Sequence, residues 1–327
     1  MTSKAQIILI WGTFLLSLFP LITAKIFPKS HQSFLYLNIW LLGYHHVIST
    51  FTRLCFDKQS YQENKFNIFV LPVILGIICY FLHNYFGNWV LPTIYIYWQW
   101  YHYTRQSEGI YKYFLRKSNT PVKSYGSFNR LSFFTIPLIG IVFVSYRNPT
   151  TFLGMNIKLI PIHDFFLTTL IFIGTFIVLY STYLSSKDKL KKNYMPRNFL
   201  FTHNFIFLLT YTLIEDFNWA WLSLNIWHNS QYIIFVWLFN NSRFKNNIDY
   251  EKKFLSTISQ KNKIHIYFTI CVGLSSLIYT CLGLITFGHA TSIIIVYQVI
   301  NFHHYIVDSK IWKLSNKRIQ SNLGLNH

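Results

Sequence analysis

The sequence predicts an all-α integral membrane protein with about ten transmembrane helices and both termini in the cytoplasm. The first observation is composition: 52% of the 327 residues are hydrophobic and only 12% are charged, whereas a soluble domain carries about 25% charged residues. The second is that the charges cluster between long apolar runs, as in polytopic membrane proteins. The third is the placement of the basic residues, which alternates from one connection to the next.

Ten apolar runs follow one another along the chain. They span about 7–26, 34–52, 68–86, 89–104, 131–147, 163–184, 199–214, 217–240, 264–285 and 289–309. The first is long for a signal peptide and has no small-residue cleavage pattern, so it predicts a retained signal-anchor helix. Gly87 and Asn88 predict a tight turn that makes the third and fourth runs a helical hairpin. The polar connections are too short to fold alone, so residues 1–327 are predicted to form a single polytopic domain with short cytoplasmic loops.

The positive-inside rule gives the orientation. With both termini inside, the cytoplasmic segments hold all but four of the 29 basic residues. The exceptions are Lys25, Lys29, Arg147 and Lys158. A miscount by one helix would destroy this alternation, so the charges favour ten spans.

The net charge of +19 would suggest a nucleic-acid partner in a soluble protein. Here the basic residues flank apolar runs and no soluble basic domain exists to carry nucleic acid, so we expect none. The four cysteines form no CxxC pair and lie within or at the ends of apolar runs. They are predicted to be reduced core residues.

Four apolar runs repeat one pattern, a histidine followed about one helical turn later by a polar side chain. The pairs are His46 with Thr50, His102 with Gln106, His228 with Gln231 and Tyr232, and His304 with Asp308. Residues three or four apart lie on one helix face. Ionisable groups at membrane depth are costly and usually functional.

In the ten-helix arrangement these histidines, together with His203, all fall in the inner half of the membrane. We therefore predict one metal site of one or two iron ions, since imidazole and carboxylate groups suit iron. The predicted ligands are His46, His102, His203, His228, His304 and Asp308. The groups predicted to support them are His45, His303, Gln106, Gln231, Arg53 and Asp57. The alternative is that the histidines are metal-free residues of the headgroup interface.

The segments around these histidines resemble a group of bacterial polytopic membrane proteins of unassigned function. The resemblance rests on the patterns HxxxxxxR at 46–53, HxxRQ at 102–106, HxxQY at 228–232 and HHYxxD at 303–308, and it covers most of the chain. More loosely, the sequence is similar to histidine-rich membrane di-iron oxygenases, namely desaturases, hydroxylases and bacterial β-carotene dioxygenases. The HxxxH and HxxHH boxes of desaturases are absent.

Three functions are compatible with these features. The first is a metal-dependent oxidase or oxygenase of the bacterial inner membrane, which acts on a lipid or isoprenoid and takes electrons from a donor. The second is a transporter of a metal ion or small solute, although glycine and proline are few and no inverted repeat is visible. The third is a lipid-modifying transferase in which Arg53 and Arg105 hold phosphate.

Overall fold

The computed structural model of the chain describes residues 3–118, 127–187, 194–245, 247–286, 289–312 and 317–323. Nearly all of these residues are helical, which confirms the all-α class. Several basic residues that the orientation prediction counts lie outside the described residues. They are Lys123, Lys189, Lys191, Lys192 and Lys313.

The helices follow the apolar runs. In chain order they are α1 (Ser3–Ile7), α2 (Thr13–Ile26), α3 (His31–Asn38), α4 (Tyr44–Cys55), α5 (Lys58–Glu63), α6 (Leu71–Phe86), α7 (Val90–Lys117), α8 (Ser127–Arg147), α9 (Asp164–Lys187), α10 (Tyr194–Leu208), α11 (Phe217–Arg243), α12 (Lys253–Ile258), α13 (Ile264–Ile285), α14 (Ala290–Ile311) and α15 (Lys317–Asn322). Two short strands, β1 (Thr151–Phe152) and β2 (Met155–Asn156), form an antiparallel hairpin.

Several helices join through π-helical turns. These turns are Ile8–Gly12, Ile39–Gly43, Phe66–Val70 and Leu209–Leu213, and short 3-10 turns lie at Pro28–Ser30, Tyr250–Lys252 and Lys261–Lys263. Because the π-turns continue the helices without a break, nine of the ten apolar runs coincide closely with one continuous helical segment each. π-turns of this kind are frequent near functional sites.

Five helical segments of the described chain are long and apolar enough to cross a membrane. They are Lys4–Ile26, Phe66–Phe86, Arg130–Arg147, Asp164–Tyr183 and Lys261–Ile285. Their surfaces expose many large apolar side chains, as expected where lipid is the solvent. These features support a membrane protein, while the count of ten spans and their orientation stay predictions.

The predicted hairpin between the third and fourth runs is present. α6 ends at Phe86, and Gly87 turns the chain with φ +91°, a conformation that favours glycine. The following helix differs from the apolar run, because α7 does not end near Thr104 but continues to Lys117. The polar half of α7 has good helix formers and needs no lipid to stay helical.

The chain divides into two compact units. The first contains residues 30–95 and 229–327, and the second contains residues 2–29 and 96–228. In the first unit α14 packs on α6 and α4, and α13 packs on α4. Its apolar core includes Ile48, Leu255, Ile258, Tyr267 and Cys271.

In the second unit α8 packs on α9 and α10. The approach of α9 to α8 depends on Gly174, where a Cβ atom would lie 2.5 Å from Cδ1 of Ile139 and 2.9 Å from Cγ2 of Thr135. A side chain larger than hydrogen at this position would push the two helices apart.

Candidate metal centre

Two helices of the first unit each bring a histidine and a polar partner to one place. α4 carries His46 and Thr50, and α14 carries His304 and Asp308, each pair one turn apart. Side chains with this spacing share a helix face, and the two helices pack on each other. All four side chains are buried, so the polar groups can be satisfied only by one another or by a bound group.

Three potential ligand atoms converge at this place. Nε2 of His46 lies 2.6 Å from Nε2 of His304, and Oδ2 of Asp308 lies 3.6 Å from Nε2 of His304. The ligand atoms of His46, His304 and Asp308 all lie within 4.8 Å of one another. Two imidazole nitrogens bound to one ion stand about 3 Å apart when each bond is near 2.1 Å, so the two Nε2 atoms are within a few tenths of an ångström of that separation.

Thr50 determines which nitrogen of His304 carries a proton. Its hydroxyl donates to Oδ1 of Asp308 at 3.0 Å and has no second proton to give. Its oxygen lies 3.0 Å from Nδ1 of His304 and therefore accepts the Nδ1–H. His304 is then protonated on Nδ1, and Nε2 keeps its lone pair for a cation, which is the usual arrangement of a metal-binding histidine.

The Asp308 carboxylate has a second support in Tyr232 of α11. The Tyr232 hydroxyl donates to Oδ1 of Asp308 at 2.8 Å, and Nε1 of Trp312 donates to the same hydroxyl at 3.0 Å. The Thr50 and Tyr232 hydroxyl oxygens are also 2.6 Å apart, so Oδ1 of Asp308 and the two hydroxyl groups form one hydrogen-bonded group. Oδ2 has no hydrogen-bond partner among the described residues, and it is the oxygen that faces the histidines.

The arrangement is suited to a cation. Two nitrogen lone pairs cannot face each other at 2.6 Å without a proton or a metal ion between them. A shared proton would satisfy the nitrogens of His46 and His304 and leave Oδ2 of Asp308 buried without a partner, which is costly. A metal ion would satisfy all three atoms.

Arg53 and Asp57, the predicted supporting pair, have separate main contacts. The guanidinium of Arg53 lies 4.3 Å from the ring centroids of both Phe239 and Trp312. The Asp57 carboxylate caps the N-terminus of α5 and pairs with Arg243 at 2.6 Å. Arg53 thus packs against Trp312, which bonds Tyr232, whereas Asp57 joins α5 to the end of α11.

His45 and His303 contact other parts of the first unit. Nε2 of His303 lies 2.6 Å from the carbonyl oxygen of Asn67, and its ring stacks on Phe51. The His45 ring packs edge-on against Phe268. Both histidines are buried, and neither belongs to the group of candidate ligands found among the described residues.

Gln231 is the one predicted supporting amide in the first unit. It is fully buried, and neither its Oε1 nor its Nε2 has a hydrogen-bond partner among the described residues. A buried amide without a partner costs free energy, so Gln231 marks a place where a further polar ligand or water would be stabilising.

The second unit holds a different group of histidines. The rings of His102 and His228 are 5.1 Å apart, and Tyr103 stacks on His228 at 3.7 Å. Gln106, which the sequence pairs with His102, instead lies with Nε2 at 3.3 Å from Nδ1 of His228. The Tyr103 hydroxyl is bonded in turn by the side-chain amides of Gln99 and Asn225.

His203 lies among aromatic rings of the second unit. Its imidazole stacks on Phe133 at 3.9 Å and also packs against Phe207 and Trp227. Nε2 lies 3.2 Å from the carbonyl oxygen of Phe133. With that nitrogen engaged, His203 is not among the candidate ligands found in the described part of the chain.

Comparison with known protein families, curated proteins and solved structures gave no match.

Sequence reasoning did not select three residues that hold this centre, namely Thr50, Tyr232 and Trp312. The helical spacing did mark Thr50 and Tyr232 as polar partners of His46 and His228. In the structure the Thr50 hydroxyl instead contacts His304 and Asp308, and the Tyr232 hydroxyl contacts Asp308. The sequence assigns no role to Trp312, because its contact with Tyr232 depends on where α14 ends relative to α11.

Proposed function

We propose that the chain is a membrane-embedded metal-dependent enzyme in which His46, His304 and Asp308 bind one metal ion. The observation that carries the proposal is the free Oδ2 of Asp308, buried beside two imidazole Nε2 atoms that face each other. A cation between these atoms satisfies all of them, whereas a proton shared by the two imidazoles leaves Oδ2 without a hydrogen bond.

We propose iron as the metal. Two imidazoles and one carboxylate that leave coordination positions open are typical of non-haem Fe(II) oxygenases. A single ion needs only these three ligands, and for His102, His203 and His228 the role of ligand stays a prediction.

We further propose that the enzyme is an oxidase or oxygenase acting on a lipid or isoprenoid of the bacterial inner membrane, with electrons from a donor. Iron at this position would supply activation of oxygen. The protein's own contribution is to keep the site buried, to hold His304 in the Nδ1–H tautomer through Thr50, and to fix the Asp308 carboxylate through Thr50 and Tyr232. The exposed apolar helix surfaces suit a hydrophobic substrate that enters from the membrane.

Oxygen uptake tests this function. Protein loaded with Fe²⁺ in detergent is given ascorbate, oxygen and a bacterial lipid extract, beside Asp308→Asn and the control Thr52→Val. The Thr52 hydroxyl donates to the carbonyl of Ser49 and touches no ligand. We expect lipid-dependent uptake by the wild type and the control and none by Asp308→Asn. Absence of uptake by iron-loaded wild type, or equal uptake by Asp308→Asn, would contradict the oxygenase proposal.

Metal transport is the second candidate function, because a buried cluster of histidine and carboxylate ligands is also typical of ion pathways in membranes. It predicts uptake of the metal into proteoliposomes, which an oxygenase does not require. The transferase alternative predicts a need for magnesium or manganese and no bound redox metal.

A further inference from the structure

A buried acidic residue gathers three basic side chains in the second unit. Glu108 of α7 is only 1% exposed, and its carboxylate pairs with Arg105 and, at 2.7 Å, with Lys112 of the same helix. Arg130 of α8 approaches the same carboxylate with Nε at 3.2 Å. One negative charge therefore holds three positive ones at fixed positions.

This cluster has positive charge and hydrogen-bond donors in excess. Arg105 contacts Glu108 through Nη1, and Arg130 contacts it through Nε. The other guanidinium nitrogens of the two arginines make no hydrogen bond among the described residues. The side chains of Arg105, Lys112 and Arg130 are 41%, 28% and 53% exposed. The cluster thus presents a net positive surface with guanidinium donors that an anion can reach.

The cluster lies at the ends of two apolar segments. Arg130 is the first residue of the membrane-length segment Arg130–Arg147, and Arg105 directly follows the apolar run of α7 that ends at Thr104. The ends of apolar segments lie at the level of the lipid headgroups. Phosphate groups are the main anions at this level.

We propose that Arg105, Lys112 and Arg130 bind the phosphate group of an anionic phospholipid. Guanidinium groups bind phosphate oxygens in a bidentate manner, and a lysine adds a point charge. Basic pockets between transmembrane helices bind anionic headgroups in the same way. Glu108 acts as the positioning residue, since it fixes the three cations without neutralising them.

Lipid titration of delipidated full-length protein tests the proposal. Phosphatidylglycerol, phosphatidylcholine or inorganic phosphate is added, and thermal stability and lipids retained in native mass spectrometry are measured. We expect saturable stabilisation by phosphatidylglycerol and little effect of the other two. The double variant Lys112→Gln plus Arg130→Gln should bind phosphatidylglycerol at least about tenfold more weakly, since each basic side chain near the surface contributes about fivefold.

The control is Lys58→Gln, which removes an exposed lysine at a distance along the chain from the cluster and should bind like the wild type. Equal stabilisation by both lipids, or unchanged phosphatidylglycerol binding in the double variant, would overturn the proposal. A full effect of inorganic phosphate alone would show an anion site that does not select lipid and would overturn the lipid assignment. If the double variant does not fold, the comparison of phosphatidylglycerol with phosphatidylcholine on the wild type tests the proposal alone.

Discussion

The histidines of the two units have different neighbours. In the first unit His46 and His304 face a carboxylate oxygen that lacks a partner, and hydroxyl groups hold both the carboxylate and one imidazole. In the second unit His203 and His228 stack on Phe133 and Tyr103, and their bonded nitrogens contact a carbonyl or an amide. Both groups are buried, and His46, His228 and His304 follow the same sequence pattern.

This difference indicates that metal binding depends more on the polar residue one turn after a histidine than on the histidine itself. Asp308 brings a carboxylate whose negative charge is costly to bury, so a cation at this place would be stabilising. Gln106 brings a neutral amide, whose Nε2 lies beside Nδ1 of His228, so this pair has no buried charge to compensate. The comparison gives four predictions, ordered by expected effect.

The largest effect is expected from Asp308→Asn, which keeps the shape of the side chain and removes its charge. Metal affinity, measured by competition with a chromogenic chelator, should fall by more than about 100-fold, beyond the cost of losing an outer partner of a ligand. The matched change in the second unit is Gln106→Ala, which should leave affinity nearly unchanged. Similar losses in both variants would remove the distinction between the units.

Thr50→Val should have the next largest effect. Valine has nearly the same shape but cannot accept the Nδ1–H of His304 or donate to Asp308, so metal affinity should fall by about 10–100-fold. Thr52→Val on the same helix is the control and should retain the affinity of the wild type. A Thr50→Val protein with normal affinity would show that the hydroxyl does not orient the ligands.

Two buried tyrosines, Tyr232 in the first unit and Tyr103 in the second, extend the comparison of the two units. Tyr232→Phe removes one hydrogen bond to Asp308 and should weaken metal binding by roughly tenfold. Tyr103→Phe leaves the amides of Gln99 and Asn225 without their acceptor, so it should lower the free energy of unfolding by roughly 1–3 kcal/mol and leave metal content unchanged. Denaturation and metal analysis of both variants measure the contrast, and metal loss in Tyr103→Phe would refute it.

The smallest effect is expected from His203→Phe. The position is lined by Phe133, Phe207 and Trp227, so a phenyl ring should fit with a loss of less than about 1.5 kcal/mol and with full metal content. Loss of the metal in this variant would instead show that His203 is a ligand, as the sequence alone predicts.

Much of the architecture was predictable, because membrane helices are marked by apolar runs and basic ends. The ten runs, the turn at Gly87 and the His304–Asp308 pair all follow from local sequence. The end of α7 was not predictable from hydropathy, since its last turns are polar and helical.

The candidate site was predictable only in part. Helical spacing places Thr50 beside His46, and Gln106 beside His102, on a helix face. It cannot say which helix each face meets, because that choice depends on packing between distant segments. Hence the partnership of α4 with α14, and that of Gln106 with His228, emerge only in three dimensions.

The central claim is that a metal ion joins His46, His304 and Asp308, and its most direct test is elemental analysis of protein purified in mild detergent without chelator. The wild type should contain about one iron per chain, and the double variant His304→Ala plus Asp308→Ala should contain none. His303→Gln, changed at the neighbouring histidine that contacts Asn67, should keep the metal. A wild type without metal, or a double variant with the same metal content, would contradict the account.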